Sequence, residues 1–291
     1  MEMHRELDDT LVRASASVVM LRDGPTGLEV FLVKRHGLSD VLGGAYVFPG
    51  GKVDAQDAHL DMQAHLDATP HALQAALGES ELAEIDAAAL YIAALREAFE
   101  ETGVLYAHGV TAQDAIRATG LSREGRAFDE VLAALSLRLH TASLQPWSRW
   151  ITPRVGAVVR KRFDTRFFLA RVPDGQIARH DDHEATESVW LAPRVALEQY
   201  RDAAIELAPP QIMSLAHLAR HANVESALAQ ARLRKPPLVL PEAFEHEGER
   251  VVCYPGDDRH SVRERALPGP TRLHYRNRRF EPADGFEALF D

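Results

Sequence analysis

Apolar residues along the chain fall into short β-rich runs near the N-terminus. Residues 14–21 (ASASVVML) and 28–35 (LEVFLVKR) are rich in β-branched and aliphatic side chains, and a turn containing Gly and Pro separates them. This pattern predicts two antiparallel strands joined by a loop. A third apolar piece at residues 47–48 is stopped by the Pro-Gly-Gly of residues 49–51. Strands around a glycine bend are therefore predicted here.

Helical patterns dominate the next part of the chain. Residues 58–90 are rich in Ala, Leu, Gln, Asp and His, and residues 89–102 (ALYIAALREAFEET) carry the clearest helical pattern. Gly103 follows directly and is predicted to cap that helix. A second Ala-rich helical stretch covers residues 112–139.

The rest of the chain returns to strands and then to helices. Residues 150–160, 162–170 and 188–191 have strand character, with period-two alternation in the second of these runs. Pro193 and Pro210 are predicted to open two helices. Beyond Lys235, Pro, Gly and charged residues predict short strands and turns that wrap the domain. No internal repeat or low-complexity linker divides the chain, which favours one α/β domain over residues 1–291.

Composition narrows the possible partners. The 33 Lys and Arg against 43 Asp and Glu give a formal net charge of −10, so the chain as a whole does not attract nucleic acid or anionic membranes. Apolar runs are shorter than a membrane helix needs, and residues 1–10 lack the apolar core of a signal peptide. Cys253 is the only cysteine, which excludes an intramolecular disulfide and suits a reducing compartment. We therefore expect a cytoplasmic protein; the C-terminal Phe290-Asp291 is not a peroxisomal address.

Three glutamates carry the first candidate chemistry. Glu97, Glu100 and Glu101 are spaced i, i+3 and i+4, so a helix places their carboxylates on one face. Clustered carboxylates repel one another unless cations neutralise them, and hard oxygen ligands suit Mg²⁺ or Mn²⁺. Arg96 can orient or partly neutralise the cluster. A solvated acidic helix face is the alternative interpretation.

The second candidate feature is the glycine bend in residues 48–57 (FPGGKVDAQD). Two adjacent glycines permit close approach of the backbone to a ligand and can direct a carbonyl at a metal. An ordinary turn remains the alternative interpretation.

Together the two segments resemble the Nudix box, G-x5-E-x7-R-E-U-x-E-E-x-G-U, where U is a bulky apolar residue. Asp57 replaces the first Glu of that box, and Ala98 is smaller than the usual aliphatic residue. The gap between Asp57 and Arg96 contains 96 − 57 − 1 = 38 residues rather than seven, an insertion of 38 − 7 = 31. The matching positions are Gly51, Asp57, Arg96, Glu97, Glu100, Glu101, Gly103 and Val104.

The chain further resembles a subgroup of Nudix hydrolases, the coenzyme A diphosphatases with a long insertion inside the box. Residues 150–153 (WITP), 162–168 (RFDTRFF) and 209–211 (PPQ) extend the likeness. Within a coenzyme A signature, L-L-T-x-R-[SA]-x3-R-x3-G-x3-F-P-G-G, the fitting residues are Arg35, Gly44 and Phe48 to Gly51. His36 and Asp40 depart from that signature, at its small residue and its second arginine.

The resemblance implies an α/β/α sandwich with a mixed sheet. Helical insertions are expected at about residues 58–88 and 111–146, and a C-terminal extension at about residues 235–291. The first insertion is expected to shape the substrate entrance or a dimer contact.

The resemblance also implies a metal site and a reaction. Mg²⁺, or alternatively Mn²⁺, would be held by Glu97, Glu100, Glu101 and the Gly50 carbonyl, with Arg96 supporting Glu97. Water would then attack a phosphorus atom of a diphosphate.

Several other residues are candidates with an ordinary surface role as the alternative. Glu184 is favoured over Glu187 as an auxiliary catalytic acid. The contiguous residues 180–183 (HDDH) are expected not to converge on one ion. The candidates for contact with substrate phosphates are Arg35, Arg162 and Arg166, because arginine matches phosphate geometry.

The leading functional hypothesis is hydrolysis of coenzyme A or acyl-coenzyme A. The alternatives are a Nudix hydrolase of another nucleoside diphosphate derivative, such as a dinucleotide or nucleotide sugar, and a Nudix-fold binding module without turnover. A small nucleotide substrate and a possible homodimer are the expected partners.

Overall fold

The computed structural model describes residues 12–37, 43–153, 162–181 and 185–291, and a mixed sheet lies at its centre. The strands are β1 (Val12–Gly24), β2 (Gly27–Arg35), β3 (Tyr46–Val47), β4 (Gly50–Lys52), β5 (Gln145–Ile151), β6 (Arg162–Arg171), β7 (Ala185–Leu191) and β8 (Leu238–Val239). The sheet order is β3-β2-β1-β6-β5-β8, with β4 paired to β1 and β7 paired to β2. Strand β1 runs parallel to β6, β5 runs parallel to β8, and the remaining pairs are antiparallel.

The predicted antiparallel pair near the N-terminus is confirmed, with Leu21 opposite Val30 and Gly24 opposite Gly27 across a tight turn. Strand β5 begins at Gln145, five residues before the predicted start at residue 150, and residues 154–160 of that prediction lie outside the described residues. The predicted strands at 162–170 and 188–191 are confirmed within β6 and β7.

Nine helices are found in the described parts of the chain. They are α1 (Ala55–His59), α2 (Met62–His65), α3 (Pro70–Leu77), α4 (Glu84–Thr102), α5 (Ala112–Arg123), α6 (Phe128–Ala134), α7 (Pro193–Arg201), α8 (Pro209–Leu218) and α9 (Val224–Leu233). Helix α4 contains the predicted helix 89–102 but begins five residues earlier, and Gly103 caps it with a φ of 71°. The prediction for residues 112–139 was too long, because Leu137 and Leu139 leave the helix for backbone pairing with residues 132 and 65.

Helices cover both faces of the sheet, which confirms the predicted α/β/α sandwich. Strand alternation sends Val18, Phe31 and Phe168 to the face covered by α4. Val19, Val30 and Phe167 point to the opposite face, where α7, α8 and α9 pack. The catalytic candidates on α4 therefore lie on one defined face of the sheet.

The segment predicted as an insertion at residues 58–88 forms part of the core below α4. Leu66, Leu73 and Leu77 are buried in the same cluster as Leu90 and Phe99 of α4. Its last residues form the first turn of α4 itself, so the insertion and the helix that carries the three glutamates are continuous.

The chain beyond Lys235 forms a second small sheet, as the prediction of short strands and turns requires. Its strands are β9 (Glu242–His246), β10 (Glu249–Cys253), β11 (Arg272–Arg276) and β12 (Arg279–Glu281). Their order is β12-β11-β10-β9, and Val252, Tyr254 and Leu273 pack into the core on the α7–α9 face. Within the described residues, no helix combines the length and the apolar character that crossing a bilayer requires.

Candidate active site

The glycine bend lies directly against the carboxylates of α4. The backbone N–H of Gly50 donates a hydrogen bond to Glu101 Oε2 at 2.9 Å. Strand β4 is fixed by pairing with β1, where Gly50 lies opposite Ser17. A side chain at Gly50 would place its Cβ 2.4 Å from the Ala16 carbonyl oxygen, and the φ of Gly50 is 153°. Glycine is therefore required at this position for the bend to pack on the sheet.

Gly51 allows the second close approach. A Cβ at Gly51 would lie 2.4 Å from Glu97 Oε1. Because the position has no side chain, the Glu97 carboxylate can lie next to the backbone of the bend. The two halves of the split motif thus meet in space, although residues 58–95 separate them in sequence.

Arg96 lies at the centre of this arrangement and donates hydrogen bonds to three carboxylates and one backbone carbonyl. Its Nε and Nη2 donate to the two oxygens of Asp57 at 2.8 and 2.9 Å. Its Nη1 donates to Glu97 Oε1 at 2.8 Å and to Glu100 Oε2 at 3.0 Å, and its Nη2 reaches the Lys52 carbonyl at 3.2 Å. Burial lowers the pKa of Arg96, but the hydrogen bond to Asp57 and the charges of Glu97, Asp57 and Glu100 outweigh it and raise that pKa above the ordinary value. The guanidinium is therefore permanently charged.

Asp57 is held in place from two sides. Its side chain is 2% exposed, and its Oδ2 also accepts the backbone N–H of Asp54 at the start of α1 at 2.8 Å. Helix α1 thereby orients Asp57, and Asp57 in turn orients Arg96. Such fixed geometry is what a residue that supports metal ligands needs.

The electrostatics of the cluster favour a cation. Asp57, Glu97, Glu100 and Glu101 carry four formal negative charges and Arg96 one positive charge, which leaves 4 − 1 = 3 negative charges among these five side chains. The Glu100 side chain is 40% exposed, so the cluster opens to solvent on that side. Hard carboxylate oxygens with an excess of negative charge are the donor set that divalent Mg²⁺ or Mn²⁺ prefers.

Comparisons with known proteins agree with this geometry. Residues 8–218 match the family profile described as the NUDT19 Nudix domain. The chain belongs to this Nudix family. Nudix proteins generally use divalent metal ions, and the predicted resemblance to the insertion-bearing subgroup is confirmed.

Two relatives and one solved structure show how far the similarity extends. Acyl-coenzyme A diphosphatase NUDT19 of Xenopus laevis is 26% identical over 268 residues, with 79% of this chain and 70% of that protein covered. Putative nudix hydrolase 7 of Caenorhabditis elegans is 26% identical over 264 residues, with 89% and 78% covered. The crystal structure of a NUDIX hydrolase from Alicyclobacillus acidocaldarius is 27% identical, covers 76% of this chain and 97% of its own, and superposes with a TM-score of 0.59. The chain is thus a Nudix hydrolase.

Two of the three arginines predicted to contact substrate have protein partners in this Nudix hydrolase. Arg166 is 5% exposed and forms ion pairs with Glu79 Oε2 at 2.5 Å and with Asp164 Oδ2 at 2.9 Å. The buried Arg162 donates from Nε to the Thr152 carbonyl at 3.0 Å. These contacts give both guanidinium groups a structural role, and their contact with substrate stays a prediction.

Arg35 differs from the other two arginines. It is the last residue of β2, where the register with β7 shifts, and it lies opposite Ala185, which is buried in the same cluster as Phe31 and Val33 on the α4 side. Its backbone is fixed by hydrogen bonds with Gly44 and Ala45 at 3.1 Å each. The described structure therefore presents Arg35 on the α4 face of the sheet at a strand end.

The segment after β6 also contacts α4, which the sequence pattern did not reveal. The backbone N–H of Arg179 donates to the Thr102 carbonyl at 3.1 Å, and that of Asp181 donates to the Glu101 carbonyl at 2.9 Å. Glu184, the favoured auxiliary acid, follows three residues later and lies outside the described residues, as do Asp182, His183 and Asp40.

The alternative acid Glu187 has partners on the sheet. It lies on β7 opposite Lys34, and its carboxylate is 3.7 Å from the Lys34 ammonium. Burial and the hydrogen bond with Glu187 raise the pKa of Tyr46 to about 12. His180 contacts Ser188 through Nδ1 at 2.9 Å.

An open cavity of about 1220 Å³ comes near the cluster at Asp54, but its lining includes neither Arg96 nor the α4 glutamates. Asp54, which is 3.8 Å from Arg96 Nη2, lines this cavity together with α1. Residues 77–82 of the insertion form a second wall, and residues 234–238 and 264–266 of the C-terminal segment form a third. The insertion therefore borders a space large enough for a nucleotide-sized ligand.

Proposed function

We propose that this Nudix hydrolase cleaves the diphosphate linkage of coenzyme A or acyl-coenzyme A with Mg²⁺. The convergence of Gly50, Gly51 and the three α4 glutamates around Arg96 is the observation that carries the hydrolase assignment. The names of curated relatives, acyl-coenzyme A diphosphatases, support the substrate class.

Glu97, Glu100 and Glu101 are the proposed Mg²⁺ ligands, with the Gly50 carbonyl as a fourth. The Gly50 N–H points to Glu101 and not to β1. Because the N–H and C=O of one residue share a side in a β-ladder, this direction supports the carbonyl as a ligand. When bound, Mg²⁺ lowers the pKa of a coordinated water and offsets the negative charge of a diphosphate.

The protein groups around this site position the metal ligands and the substrate and offset their negative charges. Arg96 holds the Glu97 and Glu100 carboxylates in place and screens their mutual repulsion. Arg35 is the proposed contact for a substrate phosphate, since a strand-end guanidinium matches phosphate oxygens bidentately. Glu184 remains the proposed auxiliary acid. The cavity beside Asp54 is the proposed site of the part of the substrate beyond the diphosphate.

The substrate proposal has one specific competitor. His36 and Asp40 occupy the positions of a small residue and the second arginine of the coenzyme A signature. An acid in place of an arginine removes a phosphate contact, which favours a dinucleotide or nucleotide sugar as the second candidate. All three α4 glutamates are retained, which argues against a binding module without turnover. A homodimer and a cytoplasmic location stay predictions.

A substrate panel with product analysis tests this proposal. Coenzyme A, acyl-coenzyme A, dinucleotides and nucleotide sugars are each incubated with Mg²⁺, and 3′-phosphoadenosine phosphate plus a phosphopantetheine product is the expected result. Glu100→Gln should reduce turnover at least 100-fold, about 2.7 kcal/mol in activation free energy. Glu84→Gln, at the exposed start of the same helix, is the control and should keep activity.

Two outcomes would contradict the proposal in different ways. Turnover of dinucleotides or nucleotide sugars alone would remove coenzyme A as the substrate and keep the hydrolase. Full turnover by Glu100→Gln would remove the metal assignment.

A further inference from the structure

Three side chains of metal-binding type meet outside the α4 carboxylate cluster. Asp67 lies between α2 and α3 inside the insertion, His108 follows α4, and His140 precedes β5. A carboxylate oxygen of Asp67 and one ring nitrogen of each histidine all lie within 4.8 Å of one another. No residue is shared with the proposed catalytic site.

Backbone pairing fixes the three segments that carry these side chains. Leu139 forms a parallel bridge with Leu66 and an antiparallel bridge with Ala107. Asp67, His108 and His140 each directly follow one of these bridged residues in the sequence. The His108 N–H donates to the Arg138 carbonyl at 2.9 Å, and the His140 N–H donates to the Tyr106 carbonyl at 3.0 Å. These two hydrogen bonds join the segments that carry the histidines. The side chains are therefore brought together by the fold and not by chance contacts of surface loops.

The Asp67 carboxylate is oriented by a buried neighbour. Its Oδ1 accepts hydrogen bonds from both the backbone N–H and the hydroxyl of Thr141, a residue that is buried. Its Oδ2 faces His108 Nε2 at 2.7 Å. One oxygen is thus held by the protein while the other faces the imidazoles. A hydrogen-bonded carboxylate of this kind is typical of a metal ligand.

We propose that Asp67, His108 and His140 bind one Zn²⁺ ion, which links the insertion to the segments on either side of α5 and α6. Imidazole nitrogens with one carboxylate suit Zn²⁺ and related transition-metal ions, whereas Mg²⁺ prefers oxygen ligands alone. The two metal sites therefore differ in the ion that each selects. The His108 side chain is 49% exposed, which leaves room for a water molecule as the fourth ligand.

The rearrangement that Zn²⁺ requires is small. Ligand atoms about 2.1 Å from a tetrahedral ion are roughly 3.4 Å apart. The ion replaces the hydrogen bond between His108 and Asp67, and the two rings, whose centroids are 4.3 Å apart at an angle of 43°, turn their nitrogens toward it. Since Asp67 belongs to the insertion, the ion acts as a cross-link that stabilises the folded insertion.

Zn²⁺ binding by the full-length protein tests this inference. The protein is stripped with a chelator, returned to buffer with a large excess of Mg²⁺, and titrated with Zn²⁺ by calorimetry. We expect one equivalent of Zn²⁺ to bind and to raise the melting temperature. His108→Gln and His140→Ala should each weaken Zn²⁺ binding at least tenfold. Co²⁺ in place of Zn²⁺ should give the visible absorption of a tetrahedral site.

Two control variants distinguish Zn²⁺ binding at this site from Zn²⁺ binding by other side chains of the protein. His71 pairs with Glu84 at 3.0 Å in the same part of the chain, but the described residues offer no third ligand there, so His71→Ala should keep Zn²⁺ binding. Glu100→Gln should also keep it, because the carboxylate cluster is not involved. Absence of Zn²⁺ binding in excess Mg²⁺, or equal loss in the His108 and His71 variants, would overturn the inference. Neither result bears on hydrolysis, which is assayed with Mg²⁺.

Discussion

At the scale of single residues, Asp57 is the departure from the Nudix pattern that the structure explains best. An aspartate is one methylene shorter than the usual glutamate, yet it reaches both Nε and Nη2 of Arg96. Helix α1 begins beside the bend and carries Asp57 close to α4, so the shorter arm suffices. We infer that the backbone path of the insertion compensates for the shorter side chain.

Replacement of Asp57 by asparagine tests this role. Asp57→Asn keeps the shape but removes the most buried of the three carboxylates that accept hydrogen bonds from Arg96, so the free energy of unfolding should fall by about 2 kcal/mol. Because Arg96 then no longer holds Glu97 and Glu100 in place, the Mg²⁺ concentration for half-maximal activity should also rise. Thermal melts and Mg²⁺ titrations of activity measure the two effects.

Two further variants distinguish a role of Asp57 in Mg²⁺ binding from a role in fold stability alone. Asp57→Glu restores the charge and should recover most of the Mg²⁺ affinity, even though the added methylene strains a tightly packed position. Asp174→Asn, at an exposed position in the turn after β6, should change neither quantity. A stability loss with an unchanged Mg²⁺ response would show that Asp57 only stabilises the fold.

The spacing of residues in sequence decides which of these features were predictable. Glu97, Glu100 and Glu101 share a helical turn, so local periodicity alone places them together. The pairing of Arg166 with Glu79 joins residues 87 positions apart, and no local pattern encodes it. The sequence therefore predicts only the substrate contact of Arg166, and its acidic partner becomes apparent from the tertiary fold.

At the scale of secondary-structure elements, the insertion is a structural layer and not a removable lid. Its leucines complete the core under α4. Glu79, just after α3, forms ion pairs with Arg149 of β5 and Arg166 of β6, and Asp164 of β6 pairs with both arginines. Two positive and two negative side chains thus dock the insertion on the sheet. The sequence indicated helices here, but not that they would be buried, because the apolar positions are spread over several short helices.

Neutralising Glu79 tests the docking of the insertion. In Glu79→Gln the amide still accepts one hydrogen bond, but the almost fully buried Arg166 keeps only Asp164 as a charged partner among the described residues. We expect the free energy of unfolding to fall by about 2 kcal/mol. Residues 77–82 line the open cavity. Once Glu79 no longer docks this segment on the sheet, a protease should cleave it faster.

Chemical denaturation and limited proteolysis measure these effects. Glu81→Gln, an exposed neighbour in the same turn, is the matched control and should behave like the wild-type protein. Equal stability of the Glu79 and Glu81 variants would mean that the four-charge network does not hold the insertion in place.

At the scale of the whole molecule, the C-terminal segment closes the second face of the sandwich. The family match ends at residue 218, and the chain beyond it supplies α9, strand β8 of the main sheet and the small second sheet. Composition predicted short strands and turns here, because Pro and Gly mark turns locally. It could not predict that Val252 and Leu273 complete the core on the α7–α9 face, since those contacts depend on the tertiary fold.

Asp257 is the polar centre of this segment. Its buried carboxylate accepts two hydrogen bonds from Arg272 at 2.7 Å each, one from the Thr271 hydroxyl at 2.8 Å and one from the Arg259 N–H at 2.9 Å. Burial raises the pKa of Asp257, but these hydrogen bonds outweigh it and lower the pKa to about 2. Burial and the charge of Asp257 also raise the pKa of the neighbouring Cys253 thiol to about 11, so that thiol stays protonated at neutral pH.

The depressed pKa of Asp257 gives stability a defined pH dependence. An aspartate in the unfolded chain titrates near pH 4, so the stabilisation from Asp257 is complete above that pH and is lost as the pH falls toward 2. Asp257→Asn should therefore lower the free energy of unfolding by about 3 kcal/mol at pH 7, and the difference from wild type should shrink below pH 4. Asp258→Asn changes a neighbouring carboxylate that is 79% exposed and should have little effect at any pH. Urea denaturation of the three proteins between pH 7 and pH 3 measures these differences. A gap between Asp257→Asn and wild type that stays constant over this range would show that the ionised carboxylate is not what holds the C-terminal segment on the sandwich.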